Sequence, residues 1–571
     1  MGAIYVTRFN DFLIFCYTLV KHYFGKMDKT SKMSPDYYLL TLILAGAAFF
    51  FLYSYLALTI RGDWQAEPKL IFNSPDETAN YFFSDLMARE SKLQYFDPAN
   101  LAAAPLISPR SMRVIDVQTV PAGFIGLPLI YGLLAKILSS AAIPFFTPAL
   151  AVIGVIFFYF VVKELFGRQT GFLSAGLLLI FPGFWYYAIK GLMPNVAFVV
   201  LLIMAGCFFA RLLNRKKLVN YLLFGFVLGL ALMIRTSEIV WIGFVIISLT
   251  AFHYRKIKFN YLVLSVLLFF LVFSPIFFFN QQIYGSPLSY GYSLNLELAG
   301  KNVINQGLTL AEKIILPFGF HPRLAWKNLF DYTYGIFPLW TLLFLASFVT
   351  FIRGFLKYPG KFKAFYLILF LLTAAYVVIY YGSWQFHDNP DPNAVTIGTS
   401  YIRYWLPLYI FVLPLLARAL IFWLKNLPRI KTVVLVYFFA VLSLTSYQTV
   451  FWGPEEGVLK VKENINGYQQ IASQVFSLVP EKSVIIAGTM DKVFFPARSV
   501  IIALNYPQDY VKIKQLLYQG YAVYYFYFSR TPAELAEFNQ RYFQSYGLRV
   551  ESSLIDFEEQ SLYPVVATVD S

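Results

Sequence analysis

The sequence predicts a polytopic α-helical membrane protein with about 11 transmembrane helices and a small C-terminal α/β domain. Three observations carry that reading. Of 571 residues, 58% are hydrophobic and 13% are charged, with a mean hydropathy of +0.60. A soluble domain carries about 25% charged residues, so a soluble enzyme, a disordered chain and a nucleic-acid binder are excluded for the chain as a whole. Long apolar runs alternate with short clusters of Lys and Arg. The composition then changes after about residue 451.

The net charge of +15, from 46 Lys+Arg against 31 Asp+Glu, reads as topology rather than as a polyanion site. Cytoplasmic turns of membrane proteins hold an excess of Lys and Arg. The segment 1–36 contains the apolar stretch Phe12 to Val20, too short to span, followed by Lys21, Lys26, Lys29 and Lys32 with no small-residue cleavage site. It is expected to be a basic, cytoplasmic, interfacial segment. A membrane module over 37–450 follows, whose first span is 37–60. Further runs lie near 142–162, 170–189, 196–212, 218–234, 239–253, 261–280, 334–352, 364–382, 403–423 and 432–450. Lys163/Arg168, Arg211/Arg215/Lys216/Lys217, Arg255/Lys256/Lys258, Arg353/Lys357/Lys361/Lys363 and Lys425/Arg429/Lys431 mark the cytoplasmic turns. The loops 61–119, 281–333 and 383–402 then fall outside, as does the domain 451–571.

Residues 119–138 are long enough to cross, yet crossing would move every later basic cluster outside. Pro121, Gly123, Gly126 and Pro128 also interrupt the run. The expected placement is in or against the outer leaflet. In the tail, 483–488 and 521–528 read as buried strands, and 507–519 and 531–546 as helices. No glycine-rich phosphate loop accompanies those strands. Two cysteines, Cys16 and Cys207, give no disulfide framework. Four scattered histidines give no preformed zinc site.

The first external loop carries Ser74-Pro75-Asp76-Glu77 ahead of an aromatic helix. Ser74 reads as an N-cap, Pro75 as the first helical residue and Glu77 as the capping-box partner. Capping leaves the Asp76 carboxylate free, and a free carboxylate beside a membrane can act as a base toward a bound hydroxyl.

A first span followed by a long external loop with Ser-Pro-Asp-Glu resembles the GT-C fold glycosyltransferases, the superfamily of protein O-mannosyltransferases and lipid A aminoarabinose transferases. Further pieces agree in order over roughly residues 37–425. They are Leu165-Phe166-Gly167-Arg168, Phe181-Pro182 with Leu192-Met193-Pro194-Asn195, the helix from Gly225 to Arg235, Tyr284-Gly285-Ser286-Pro287-Leu288, and Arg403-Tyr404-Trp405-Leu406-Pro407. The resemblance implies an inverting enzyme that moves a sugar from a polyprenyl-phosphate donor to a hydroxyl of a glycan, lipid or protein acceptor. The leaving phosphate is already anionic, so such chemistry needs one base and nearby cations.

Asp76 is accordingly expected to be catalytic, with Glu77 and Asn195 in support. Arg403, Arg235, Arg110 and Arg113 are the expected donor-phosphate ligands. His321, Arg323, Tyr404 and Trp405 are candidate sugar or phosphate contacts. Many relatives carry an acidic residue at the position of Asn195. Asparagine is a weaker metal ligand, so a divalent ion is expected to be weak or absent, with no metal site and no firm cofactor. Glu238, three residues after Arg235, is placed to neutralise it. Two other readings compete: a non-catalytic scaffold or lipid- or glycan-binding protein of the same fold, and a transporter or flippase. No internal repeat and almost no mid-span ionisable residue supports the transporter.

Overall fold

The computed structural model describes residues 36–62, 70–292 and 315–568, apart from 387, 390 and 392. The basic segment expected before residue 36, His387 and much of the loop expected at 281–333 lie outside the described residues. The chain divides into two units, 1–41 and 42–571. Only residues 36–41 of the first are described, and they open the helix Tyr37–Thr59. All packing below is within the second unit.

Eight described helices are long and apolar enough to cross a membrane: Tyr37–Thr59, Ser140–Phe166, Pro194–Arg215, Phe259–Tyr284, Pro338–Lys357, Lys361–Gly382, Leu406–Trp423 and Lys431–Trp452. Helices apolar on all sides satisfy their backbone internally and leave their side chains to lipid or to one another. Two bent pairs join them. Arg168–Ile180 and Pro182–Lys190 meet at 55°, where Phe181 is extended (φ −66°, ψ 123°) ahead of Pro182. Leu218–Ile234 and Thr236–Phe252 meet at 117° across Arg235. Counting that second pair as one span or two separates ten spans from the eleven the sequence delineates.

The first loop folds back on the helices. Helix Pro75–Glu90 is followed by β1 (Tyr95–Phe96), β2 (Met112–Ile115) and β3 (Gln118–Pro121). These form an antiparallel sheet in the order β1-β3-β2. Helix Gly126–Leu138 has 13 residues, about 20 Å of rise against a hydrocarbon core of about 30 Å. Lys136 at its far end donates to Ser91 at the end of helix Pro75–Glu90, 2.6 Å away. Two glycines permit the packing. A Cβ at Gly132 would lie 2.5 Å from the Met87 side chain, and one at Gly126 would lie 1.9 Å from the Met233 carbonyl oxygen. That second approach brings the loop against the end of helix Leu218–Ile234, next to Arg235.

Helix Val458–Leu478 leads into the C-terminal domain, which contains β4 (Ser483–Ile486), β5 (Ser499–Ile501), β6 (Ala522–Phe528), β7 (Leu548–Val550), β8 (Ile555–Asp556) and β9 (Gln560–Ala567). The order is β5-β4-β6-β9-β7, with β8 on β9. β4 runs parallel to β5 and β6, and β9 is antiparallel to β6 and β7. Helix Pro507–Tyr518 follows the sequence reading, while the expected helix 531–546 is regular only over Pro532–Phe538 and tightens and loosens beyond it. The core of this domain includes Val484, Ile486, Ile513 and Val523, together with Ala99, Ala103 and Ile107 from the first loop. A segment that the sequence assigns to a loop 61–119 is thus built into the C-terminal core. Ala102 and Leu106 pack against the same core, and the Ser499 hydroxyl donates to Asp97 at 2.7 Å, but a short run of alanines and aliphatics carries no strand or helix period that would register in the sequence.

Candidate active site

Helix Pro75–Glu90 starts as the sequence suggests. Ser74 is extended (φ −106°, ψ 140°) and its hydroxyl accepts from the Asp76 amide at 3.3 Å. Successive residues of a helix point about 100° apart, so Asp76 and Glu77 go to different surroundings. The Asp76 side chain is 30% exposed. It accepts from the Ser111 hydroxyl at 2.6 Å and from Nη1 of Arg403 at 3.2 Å.

Glu77 turns inward and is buried, with the equally buried Lys190 ammonium 4.0 Å away. Burial pushes its carboxyl above the usual range, and Lys190 and Arg61 pull it back. The capping role that the sequence gives Glu77 is therefore joined by a buried ion pair. Its partner lies more than a hundred positions away, where spacing rules do not reach.

Arg403 lies in the short helix Ser400–Tyr404 that precedes Leu406–Trp423. Its Nη2 donates to the Ser400 hydroxyl at 2.7 Å and stands 4.0 Å from Asp388. Asp388 in turn accepts from the Ser400 amide and hydroxyl. Arg403 thus has two carboxylates near it, and it also lies 5.2 Å from the centre of the Tyr404 ring. Arg235 bonds Glu238 at 2.8 Å and the Tyr381 hydroxyl at 2.9 Å. Its guanidinium stacks 4.7 Å from the Tyr404 ring. Arg235 is neutralised locally and braces that ring.

Arg110 is claimed by the C-terminal domain. Asp491, fully buried, accepts from the Arg110 amide at 2.6 Å and from Nε and Nη2 at 2.9 and 2.7 Å. The Thr489 carbonyl takes a further Nη2 bond at 2.6 Å. The neighbouring Lys492 donates to the Asn73 carbonyl, and burial pushes its ammonium down to about 8. Asp491 and Lys492 therefore grip the two strands of loop that carry Ser111 and Asp76. Ser111 itself sits at φ +60°, a left-handed conformation that non-glycine residues adopt only where surroundings impose it. Asp491→Ala is expected to leave Arg110 without its carboxylate and to loosen Ser111. The same variant should show faster amide hydrogen exchange at 108–113 while the membrane helices remain protected. Unchanged exchange there would refute the linkage.

A cavity of about 660 Å³ opens between the loop and the helices. Asp76, Asn195, Arg110, Arg113, Arg235, Arg403 and Tyr404 all face it. Asn195, at the start of helix Pro194–Arg215, is buried and its Oδ1 has no hydrogen-bond partner. Tyr381, Trp384 and Phe386 supply aromatic walls. The other three candidates are elsewhere. His321 and Arg323 are exposed and do not line the cavity. Trp405 is fully buried, its indole N–H directed at the Val377 carbonyl. Periodicity could not separate Tyr404 from Trp405, because one residue of helix decides which side chain meets the cavity. Ser111, Tyr381, Asp388 and Asp491 were not legible as site residues; each is an ordinary polar residue whose role comes from a distant partner. Among the described residues, no three His, Cys, Asp or Glu side chains converge as a metal-binding set.

Residues 125–279 match the dolichyl-phosphate-mannose-protein mannosyltransferase family. No curated protein sequence matches the chain significantly. Among solved structures, the chain is similar to ArnT from Cupriavidus metallidurans in the apo state, with 12% identity, 91% of this chain and 97% of that chain covered, and a TM-score of 0.50. It is similar to the same protein bound to undecaprenyl phosphate, with 11% identity, the same coverage and a TM-score of 0.51. It also resembles the oligosaccharyltransferase AglB from Archaeoglobus fulgidus in complex with an inhibitory peptide and a dolichol-phosphate, at 11% identity, 84% and 69% coverage, and a TM-score of 0.43. The near-complete mutual coverage with ArnT, and the helices themselves, make this chain a multi-pass membrane protein of the GT-C fold with a strand-containing C-terminal domain.

Proposed function

We propose that the protein is an inverting glycosyltransferase that moves a sugar from a polyprenyl-phosphate donor to an acceptor hydroxyl on the extracytoplasmic side of the membrane. The observation that carries this reading is the Asp76 carboxylate beside Arg403 at the wall of a large, aromatic-lined cavity. The mannosyltransferase-family match over 125–279 and the likeness to an ArnT structure holding undecaprenyl phosphate support it. In the reaction, the acceptor oxygen attacks the anomeric carbon and its proton passes to Asp76. The bond from that carbon to the phosphate oxygen breaks, and the electron pair leaves with the phosphate. Arg403 binds that phosphate through its planar fork. Arg113 adds positive charge, Arg235 holds Tyr404 against the same space, and Asn195 accepts from a donor hydroxyl.

Proteoliposomes offered a panel of polyprenyl-phosphate sugars and hydroxyl acceptors test the proposal directly. Arg403→Ala is expected to weaken donor binding about tenfold and also to lower turnover, because the phosphate is present in both ground and transition states. Unchanged donor affinity would remove Arg403 from the phosphate site. If no donor of the panel is turned over or bound, the scaffold reading takes its place.

The orientation forms part of the proposal: N-terminus cytoplasmic, domain 451–571 extracytoplasmic, and 119–138 not crossing. With the native cysteines replaced, a membrane-impermeant maleimide should label Lys460→Cys from outside and miss Arg215→Cys. The reverse pattern would overturn the topology.

A further inference from the structure

A second cavity, of about 470 Å³, lies entirely on the C-terminal domain. It sits at the carboxyl ends of the parallel strands β4, β5 and β6, bounded by Gly488, Leu504 and Tyr527. The chain runs from β4 out to β5 and then returns across β4 to β6. In open α/β sheets that reversal point is where a crevice outside the strand ends takes a ligand.

The lining combines two kinds of chemistry. Tyr510, Tyr525, Tyr527, Phe538 and Tyr542 present aromatic rings. Arg530 and Arg541 are matched in number by Glu534 and Glu537. Arg530 stacks 4.0 Å over the Phe538 ring, and its Nε is buried without a hydrogen-bond partner. A site for an anion would show an excess of cations, and a site for an apolar tail would lack charges. Balanced guanidinium donors and carboxylate acceptors beside flat aromatic faces suit a neutral ring that bears many hydroxyls.

Ile502, just after β5, lines both this cavity and the one holding Asp76. The segment that bounds the second cavity at Gly488 continues to Thr489, whose carbonyl holds Arg110 at the first. The two spaces therefore share Ile502 as a lining residue, and the chain at Gly488–Thr489 reaches from one to the other. We infer that the C-terminal cavity is a carbohydrate subsite that holds a neutral pyranose unit of the acceptor while its reactive hydroxyl reaches toward Asp76. The assignment of the occupant as acceptor rests on the proposed transferase activity, whereas the binding of a neutral sugar does not.

The test is saturation-transfer difference NMR on the full-length protein in lipid nanodiscs, without donor. The probes are maltotriose, mannotriose and chitotriose, with inorganic phosphate and a serine-rich peptide as competitors. At least one trisaccharide is expected to bind, and neither competitor should displace it. Tyr527→Ala with Tyr542→Ala should weaken binding about tenfold, the scale of lost aromatic contacts. Arg541→Gln, on the exposed rim, should weaken it severalfold with unfolding temperature unchanged, which guards against misfolding of the tyrosine variant. Because no transfer is measured, the result stands whatever Asp76→Asn does. Failure of all three trisaccharides to bind, displacement by phosphate or peptide, or full binding by both variants would each overturn the subsite.

Discussion

Asp76→Asn is expected to lower sugar transfer about a hundredfold or more, the usual range for a lost general base, with donor binding largely retained. The amide is isosteric and can still accept from the Ser111 hydroxyl that holds Asp76 at 2.6 Å, so the loop has no reason to move. What disappears is the negative charge 3.2 Å from Arg403 and the capacity to take a proton from the acceptor. Separating the two losses requires both measurements. Donor affinity reports on the arginine, which without the Asp76 charge keeps only Asp388, 4.0 Å away, and is freer to bind phosphate. Single-turnover rate at saturating donor and acceptor reports on the base. A transfer rate within threefold of the wild type would end the assignment of Asp76.

The second large effect is on stability. Glu77→Gln is expected to destabilise the protein by about 3 kcal/mol, the scale for breaking a buried ion pair by removing one member. Capping alone would make this change mild, because glutamine can serve a capping box. The surroundings decide otherwise: Glu77 and Lys190 are each 4% exposed, so glutamine leaves a buried ammonium without its carboxylate. Burial raises the Glu77 carboxyl, and the adjoining Lys190 and Arg61 oppose that shift. Lys190→Met in the Glu77→Gln background should recover most of the lost unfolding temperature, since removing both members of a buried pair is often neutral. A Glu77→Gln protein as stable as the wild type would mean that Glu77 carries a proton in the native state.

The sequence by itself determined the class of the protein, because lipid imposes a one-dimensional rule. A crossing needs about 20 apolar residues in a row, and such runs can be read without knowing what touches what. Proline and glycine marked 119–138 as a run that is no regular spanning helix, and Ser74-Pro75 marked the start of the helix carrying Asp76, because both signals are local in backbone geometry. Asp76, Arg403, Arg235, Arg110, Arg113, Asn195 and Tyr404 could be nominated because parity places them at one face.

Only the tertiary structure decided how those residues divide the work. Arg235 is answered by Glu238 and braces Tyr404, Arg110 belongs to Asp491, and Arg403 stands next to Asp76. The Arg235–Glu238 pairing is local and is marked by its three-residue spacing, but the sequence treats Arg110 and Arg403 alike, since a guanidinium's role depends on which carboxylate it meets, and Asp491 and Asp76 meet theirs across more than three hundred residues. The join of Ala99, Ala103 and Ile107 to the C-terminal core is of the same kind. Small apolar residues in a loop look like filler until a sheet from the far end of the chain packs on them, because burial is a property of the assembled surface and not of the residue.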